Sequence, residues 1–210
     1  MSLPAIAAYA LPGRNDLPPN SASWKLDSGR AALLVHDMQE YFVRAFVDAP
    51  IDEIIDNIAR LLTSCRAARI PVIYSVQPPR QSAAERGLLM DFWGAGLGVG
   101  ENDQEIVRRL RPQDGDHVVT KHRYSAFHRT DLAATLRRVR RDQLVITGVY
   151  AHLGCLLTAA DAFMADIQPF LVADAVADFD AEHHELALRY AAERCAVLTL
   201  SDDVAGTFGR

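Results

Sequence analysis

Asp37 stands two residues beyond an unbroken apolar run, Ala31-Ala32-Leu33-Leu34-Val35. A carboxylate there costs free energy unless it is paired or hydrogen-bonded. A lone aspartate in this setting reads as a helix N-cap or as half of a structural ion pair. Lys121 offers a partner, because it directly follows a second short run, His117-Val118-Val119-Thr120. A Lys–Asp pair facing a crevice is a common way to hold a catalytic carboxyl group, and the same two residues also fit a buried structural salt bridge. The stretches that follow two further apolar runs add Gln77 and Tyr150. One crevice can gather all four residues.

They meet only if the preceding runs lie side by side. Residues 31–35, 71–74, 117–120, 143–147, 169–172 and 196–200 have the length and composition of buried strands. Between them lie stretches of helical period. The clearest is Ile51 to Arg69, where Ile51, Ile54, Ile55, Ile58, Leu61, Leu62 and Cys65 share one face. Asp103 to Leu110, Asp131 to Arg140, Cys155 to Met164 and Ala181 to Arg194 read as further helices, with Asp131 an N-cap or first-turn acid. Alternating strands and helices predict an α/β fold: three layers around a mainly parallel, Rossmann-like sheet joined by right-handed crossovers. Ligands of such sheets bind beyond the carboxyl ends of the strands, where the four polar residues stand. Residues 1–24, with Pro4, Pro12, Pro18, Pro19 and then Trp24, predict an extended arm across the body. No repeat or linker divides the chain, so residues 1–210 read as one domain.

Composition narrows the partners. Of 210 residues, 50% are hydrophobic and 23% charged, which excludes disorder. Lys+Arg 22 against Asp+Glu 27 leaves a net charge of -5, so no global positive field draws nucleic acid or an anionic membrane. An anionic ligand must therefore meet local cations. Cys65, Cys155 and Cys195 suit neither a disulfide framework nor a Cys-x-x-Cys pair, and no basic stretch precedes the first apolar residues. The expectation is a cytoplasmic protein. His183 and His184 lack a third ligand and read as a solvated helix start, while Arg137, Arg138, Arg140 and Arg141 read as solvated cations ending a helix.

Longer segments carry a resemblance. Arg30–Phe42, with His36-Asp37-Met38-Gln39 at its centre, Lys121–His128, Gly148–Ala162 and Asp166–Phe179 resemble the isochorismatase branch of the isochorismatase-like hydrolases, in order and over nearly the whole chain. The proline-rich arm is similar too. Cysteine amidohydrolases of the wider superfamily, nicotinamidases among them, pair an Asp and a Lys with a nucleophilic Cys four residues before a Thr-Ala-x-Asp-Ala signature. Its counterpart is Thr158 to Ala162, and four residues before Thr158 stands Gly154. Cys155 is one residue late, which on a helix turns its side chain by about 100°. It is expected to miss the crevice and pack as a small apolar residue. The vinyl-ether-cleaving isochorismatases likewise have Gly at this place. The histidines with which nicotinamidases bind metal have no counterpart, since Gln77-Pro78-Pro79 stands there. No metal and no cofactor is implied.

The resemblance implies hydrolysis of isochorismate to pyruvate and 2,3-dihydroxy-2,3-dihydrobenzoate. Asp37 would protonate the terminal methylene of the vinyl ether, and water would attack the resulting oxocarbenium ion. Lys121 and Arg86 would bind the substrate carboxylates, and Gln77 and Tyr150 would supply hydrogen bonds. The absent side chain at Gly154 would leave room for substrate, and Phe42, Trp93 and Tyr124 would form an apolar wall. Burial raises the Asp37 pKa while Lys121 lowers it. An unusual cis peptide is implied before Tyr150, and a homodimer with the arm in its contact. His122 stands where relatives usually carry Trp, which bears on the ring substituent preferred. The runner-up substrate is 2-amino-2-deoxyisochorismate. Siderophore isochorismatases often carry a fused aryl carrier domain, and a sequence ending at Arg210 points to the amino substrate or a free-standing enzyme. From another class come a cysteine amidase using Cys155 and a silent scaffold in a biosynthetic complex.

Overall fold

The first strand already shows two faces to be covered. In the computed structural model, which describes residues 3–98, 100 and 102–209, β1 (Ala31–His36) is buried along its whole length. Leu33 and Val35 enter one apolar cluster, and Ala32 and Leu34 enter the other. This alternation is the period-two geometry of a strand, with both faces apolar because both are covered. The other elements follow in chain order: α1 (Glu40–Val43), α2 (Ile51–Ala67), β2 (Val72–Val76), α3 (Ala83–Arg86), α4 (Leu89–Trp93), β3 (His117–Thr120), α5 (Leu132–Arg138), β4 (Gln143–Val149), α6 (Leu156–Met164), β5 (Gln168–Ala177), α7 (Ala181–Arg194), β6 (Val197–Thr199) and α8 (Ser201–Phe208). The strands form one parallel sheet in the order β3-β2-β1-β4-β5-β6. Helices α2 and α8 pack on one face, and α5, α6 and α7 on the other. The three-layer α/β architecture expected from the alternation of elements is the one observed.

Three local expectations are corrected. Residues 103–110 do not form a helix. Their backbone is spent on the chain after β1, with the Glu40 and Val107 N–H groups donating to Glu105 O and Met38 O, and only Arg108–Leu110 makes a 3-10 turn. Cys155 does not open its helix either, since a turn of π-helix over Ala151–Cys155 precedes α6. Asp131 sits at the N-cap of α5 as expected, though its carboxylate accepts no backbone N–H there. His184 is buried and not solvated: Nδ1 faces the Tyr9 hydroxyl at 3.2 Å and Nε2 faces Ala173 O at 3.1 Å. Helix α8, for which the periodicity gave no signal, starts where the Ser201 N–H and hydroxyl both donate to the Asp174 carboxylate.

The arm is extended apart from one 3-10 turn at Arg14–Asp16. Ile6 bridges to Phe46, and the Asn20 side-chain amide exchanges two hydrogen bonds with Leu198 on the edge strand β6. An edge strand presents unpaired backbone groups, and Asn20 satisfies two of them. Among the described residues no helix is long and apolar enough to cross a membrane.

Tyr9 ties the arm to the segment after β5, its hydroxyl accepting from the Asp178 N–H at 2.8 Å. Tyr9→Phe leaves that buried N–H without an acceptor. The expected cost is about 1–3 kcal/mol, read as a lower urea midpoint at unchanged m-value. A midpoint equal to wild type would show that this contact does not hold the arm.

Candidate active site

The strand order reverses between β1 and β4, which flank one crevice at their carboxyl ends. Asp37 leaves β1 there with φ 49, a left-handed conformation that Asp tolerates better than most residues. Its N–H donates to Ser75 O at 3.1 Å. This turn directs the carboxylate out of the strand line and toward β2 and β3. Lys121, arriving from β3, places Nζ 2.6 Å from Asp37 Oδ2 and donates also to Arg123 O at 3.0 Å. The Ser75 hydroxyl donates to Oδ1 at 2.7 Å, and Gln77 Nε2 to Oδ2 at 3.2 Å.

Gln77 is itself fixed. Its backbone N–H donates to Gln39 Oε1 and its backbone carbonyl accepts from Gln39 Nε2. Its side-chain carbonyl accepts from Arg86 at 3.1 Å, so a donor chain runs from Arg86 through Gln77 to Asp37. Arg86 is 4% exposed and donates also to Gly94 O. Among the described residues no carboxylate stands within ion-pair distance of it. A buried guanidinium without an anion, lining a cleft, is a place for an anionic group.

Burial pushes the Asp37 pKa up. The Lys121 ammonium, aided by His36 and by hydrogen bonds from Lys121 and Ser75, outweighs burial and holds the carboxyl below its usual value. Asp37 is therefore ionised near neutral pH.

All the sequence-predicted site residues line one cleft of about 530 Å³, counted to its open mouth: Asp37, Phe42, Gln77, Arg86, Trp93, Lys121, Tyr124, Tyr150 and Gly154. His122 is not part of the lining. Trp93 Nε1 donates to the Tyr124 hydroxyl at 2.6 Å, which fixes two aromatic walls together. Tyr150 follows a cis peptide bond. Its expected hydrogen bond to substrate is corrected, because the hydroxyl donates to Phe42 O at 2.9 Å. Tyr150 presents its ring instead, packed between Phe46 and Phe179.

Sequence reasoning missed Tyr41, Leu97 and Phe179 in the lining, Leu3 from the arm, and Ser75 behind Asp37. Ser75 carried a signal, a hydroxyl inside an apolar strand. Phe179 is placed by Asp178, a fully buried carboxylate that accepts from the His152 N–H and faces His152 Nδ1 at 2.7 Å.

The π-helical turn brings Gly154 to the cleft, while Cys155 packs in the opposite apolar cluster with its thiol pushed up by burial. The room expected at Gly154 is already taken by the imidazole of His36. That ring is fully buried, with Nδ1 3.0 Å from Val149 O and 3.7 Å from Asp37 Oδ1. Burial lowers its pKa to about 4, so it is neutral at neutral pH. Among the described lining residues there is one carboxyl, Asp37, two cations, Lys121 and Arg86, and no Ser, Thr or Cys. No three His, Cys, Asp or Glu side chains among the described residues are grouped to hold a metal ion.

This arrangement has known relatives. A family model described as an isochorismatase domain matches residues 31–203. The isochorismatase of Bacillus subtilis is 50% identical over 206 residues, covering 97% of this chain and 66% of the relative. The phenazine biosynthesis protein PhzD of Pseudomonas fluorescens is 50% identical over 202 residues, covering 96% and 98%. Among solved structures, a cysteine hydrolase from Pseudomonas syringae pv. phaseolicola superposes with a TM-score of 0.82 at 26% identity, covering 91% of this chain and 97% of that one. With a match across the strands, the cleft and the segment bearing Gly154, the chain belongs to the isochorismatase family.

Proposed function

We propose that this protein hydrolyses the vinyl ether of isochorismate, giving pyruvate and 2,3-dihydroxy-2,3-dihydrobenzoate, with Asp37 as general acid and no covalent intermediate. The observation that carries this reading is the composition of the cleft: a single carboxyl group poised among cations, with no serine, threonine or cysteine in the described lining. Acyl transfer needs a nucleophile, whereas vinyl ether cleavage needs a proton delivered to carbon.

Isochorismate brings two carboxylates into a cleft that holds two cations. One engages Arg86, whose buried charge lacks an anion. The other shares the Lys121 ammonium, which then holds Asp37 less strongly while burial persists, so the Asp37 carboxyl takes up a proton as substrate binds. Asp37 delivers that proton to the terminal methylene, leaving an oxocarbenium ion next to the new carboxylate. Water adds to the cationic carbon and returns a proton to Asp37. The hemiketal collapses to pyruvate and the ring alcohol, its hydroxyl proton passing to the departing oxygen. Phe42, Trp93, Tyr124 and Tyr150 keep bulk water from the ring, and Gln77 orients Asp37 and the enolpyruvyl carboxylate. The second reading is the same chemistry on 2-amino-2-deoxyisochorismate, supported by the similarity to a phenazine biosynthesis protein. Against it, the only carboxyl in the described lining is already committed to Lys121, which leaves no acid for an ammonium.

Pyruvate release from the two substrates tests the assignment directly. Higher kcat/KM on the amino substrate would reverse the order of the two readings, and release from neither would remove both. Asp37→Asn should lower kcat by about 10²–10⁴-fold with a smaller change in KM, and near-normal kcat would rule out Asp37 as the donor.

The depressed Asp37 pKa sets the sign of the pH dependence. Its protonated fraction in the unliganded protein falls as pH rises, so log kcat/KM should decline by about one per pH unit through neutrality. A flat profile there would contradict proton uptake on binding. Cys155→Ala should retain activity, iodoacetamide should not inactivate through that residue, and chelators should be without effect. A thioester at Cys155 detected by mass spectrometry would restore the amidase reading.

A further inference from the structure

His36 fills the space in which residue 154 would carry a side chain. A Cβ built on Gly154 would lie 2.9 Å from both ring nitrogens of His36 and closer still to Cε1. The ring has little freedom to retreat. It is fully buried, its Nδ1 is tied to Val149 O, and its own backbone is pressed against Gly148, where a Cβ would meet His36 N at 2.8 Å. Gly148 also has φ +109, which strains any other residue. The segment from β4 to α6 therefore wraps around His36 and requires glycine at both ends.

Packing alone does not account for a histidine here. Of its two ring nitrogens only Nδ1 has a well-aligned partner, Val149 O, although the Tyr124 backbone also acts on the ring, so an apolar side chain would fill this space with less polar group to satisfy. The location is what matters: Nδ1 lies 3.7 Å from Asp37 Oδ1, so a thiol or hydroxyl on residue 154 would emerge beside the Asp37–Lys121 pair.

We propose that His36 is a specificity-determining residue: its imidazole occupies the nucleophile's place against Gly154 and so commits the cleft to chemistry driven by a proton from Asp37. The two positions then form one element, in which a nucleophile at residue 154 requires a smaller residue at 36. The inference deepens the proposed hydrolysis, yet its test needs no vinyl ether substrate, so the two can fail separately.

The test compares wild type, Gly154→Cys, His36→Ala and the double variant His36→Ala/Gly154→Cys. Gly154→Cys should lose about 5–10 °C in Tm through overpacking, or fail to accumulate as soluble protein. The double variant should recover most of that loss relative to His36→Ala. Its new thiol should be alkylated by iodoacetamide at least tenfold faster than in any soluble Gly154→Cys protein, with sulfur displacing iodide and peptide mapping locating the adduct at residue 154. Two results would overturn the proposal: Gly154→Cys folding with wild-type Tm and a readily alkylated thiol, or a double variant losing as much Tm relative to His36→Ala as Gly154→Cys loses relative to wild type. Gly154→Ala with and without His36→Ala repeats the thermal comparison without a thiol, and the same recovery is expected.

Discussion

The contact between Lys121 and Asp37, 2.6 Å apart and almost wholly buried at the floor of the cleft, is the constraint on which the cleft depends. Burying two opposite charges costs several kcal/mol per ion before their attraction is counted, and the balance is met only when the remaining donors and acceptors are also satisfied. The neighbouring groups do this. Ser75 and Gln77 donate to the carboxylate, and Arg123 O accepts from the ammonium. Ser75 and Gln77 come from β2 and the loop after it, and Lys121 and Arg123 from the loop after β3, so the pair reports the correct assembly of β1, β2 and β3 at once.

The same arrangement explains how an acidic group can be ionised at rest and still serve as a proton donor. Burial and Lys121 act on Asp37 in opposite directions, and Lys121 prevails. Any ligand anion that draws on the Lys121 charge weakens the lowering influence and leaves the raising one in place. The donor chain from Arg86 through Gln77 extends this coupling, because a ligand anion at Arg86 competes with the carbonyl oxygen that orients Gln77. The cleft thus ties the protonation of one group to the arrival of negative charge, with the aromatic walls limiting the water that would screen it.

The segment between β4 and α6 supplies the other half of the site. Its π-helical turn moves Gly154 onto the cleft and turns Cys155 into the opposite layer. Tyr150 loses its hydroxyl to Phe42 O and contributes a face. Asp178, anchored to His152 and to the arm through Tyr9, sets Phe179 against that face. The wall is aromatic because the Tyr150 hydroxyl has a backbone partner and Trp93 and Tyr124 satisfy each other.

Much of this was legible in the sequence. Period-two and period-three-to-four spacing is a local property, so the strands and the long helices α2 and α7 could be read directly, as could the polar residues at the strand ends. A carboxylate after an apolar run must be paired wherever it sits, which pointed from Asp37 to Lys121 before their distance was known. Counting back from Thr158 found Gly154. What the tertiary structure alone decided concerns groups with more than one possible partner. Residues 103–110 have helical spacing, but their backbone found acceptors beside β1. Tyr150 had a hydroxyl to offer, and Phe42 O took it. The sign of the Asp37 shift depended on a distance of 2.6 Å between residues far apart in the chain. Gly154 looked like vacant space until the ring of His36 was found in it. Spacing along a chain encodes which faces are apolar, but which donor reaches an acceptor first, and which side chain fills a gap, is set by the register of distant segments in three dimensions.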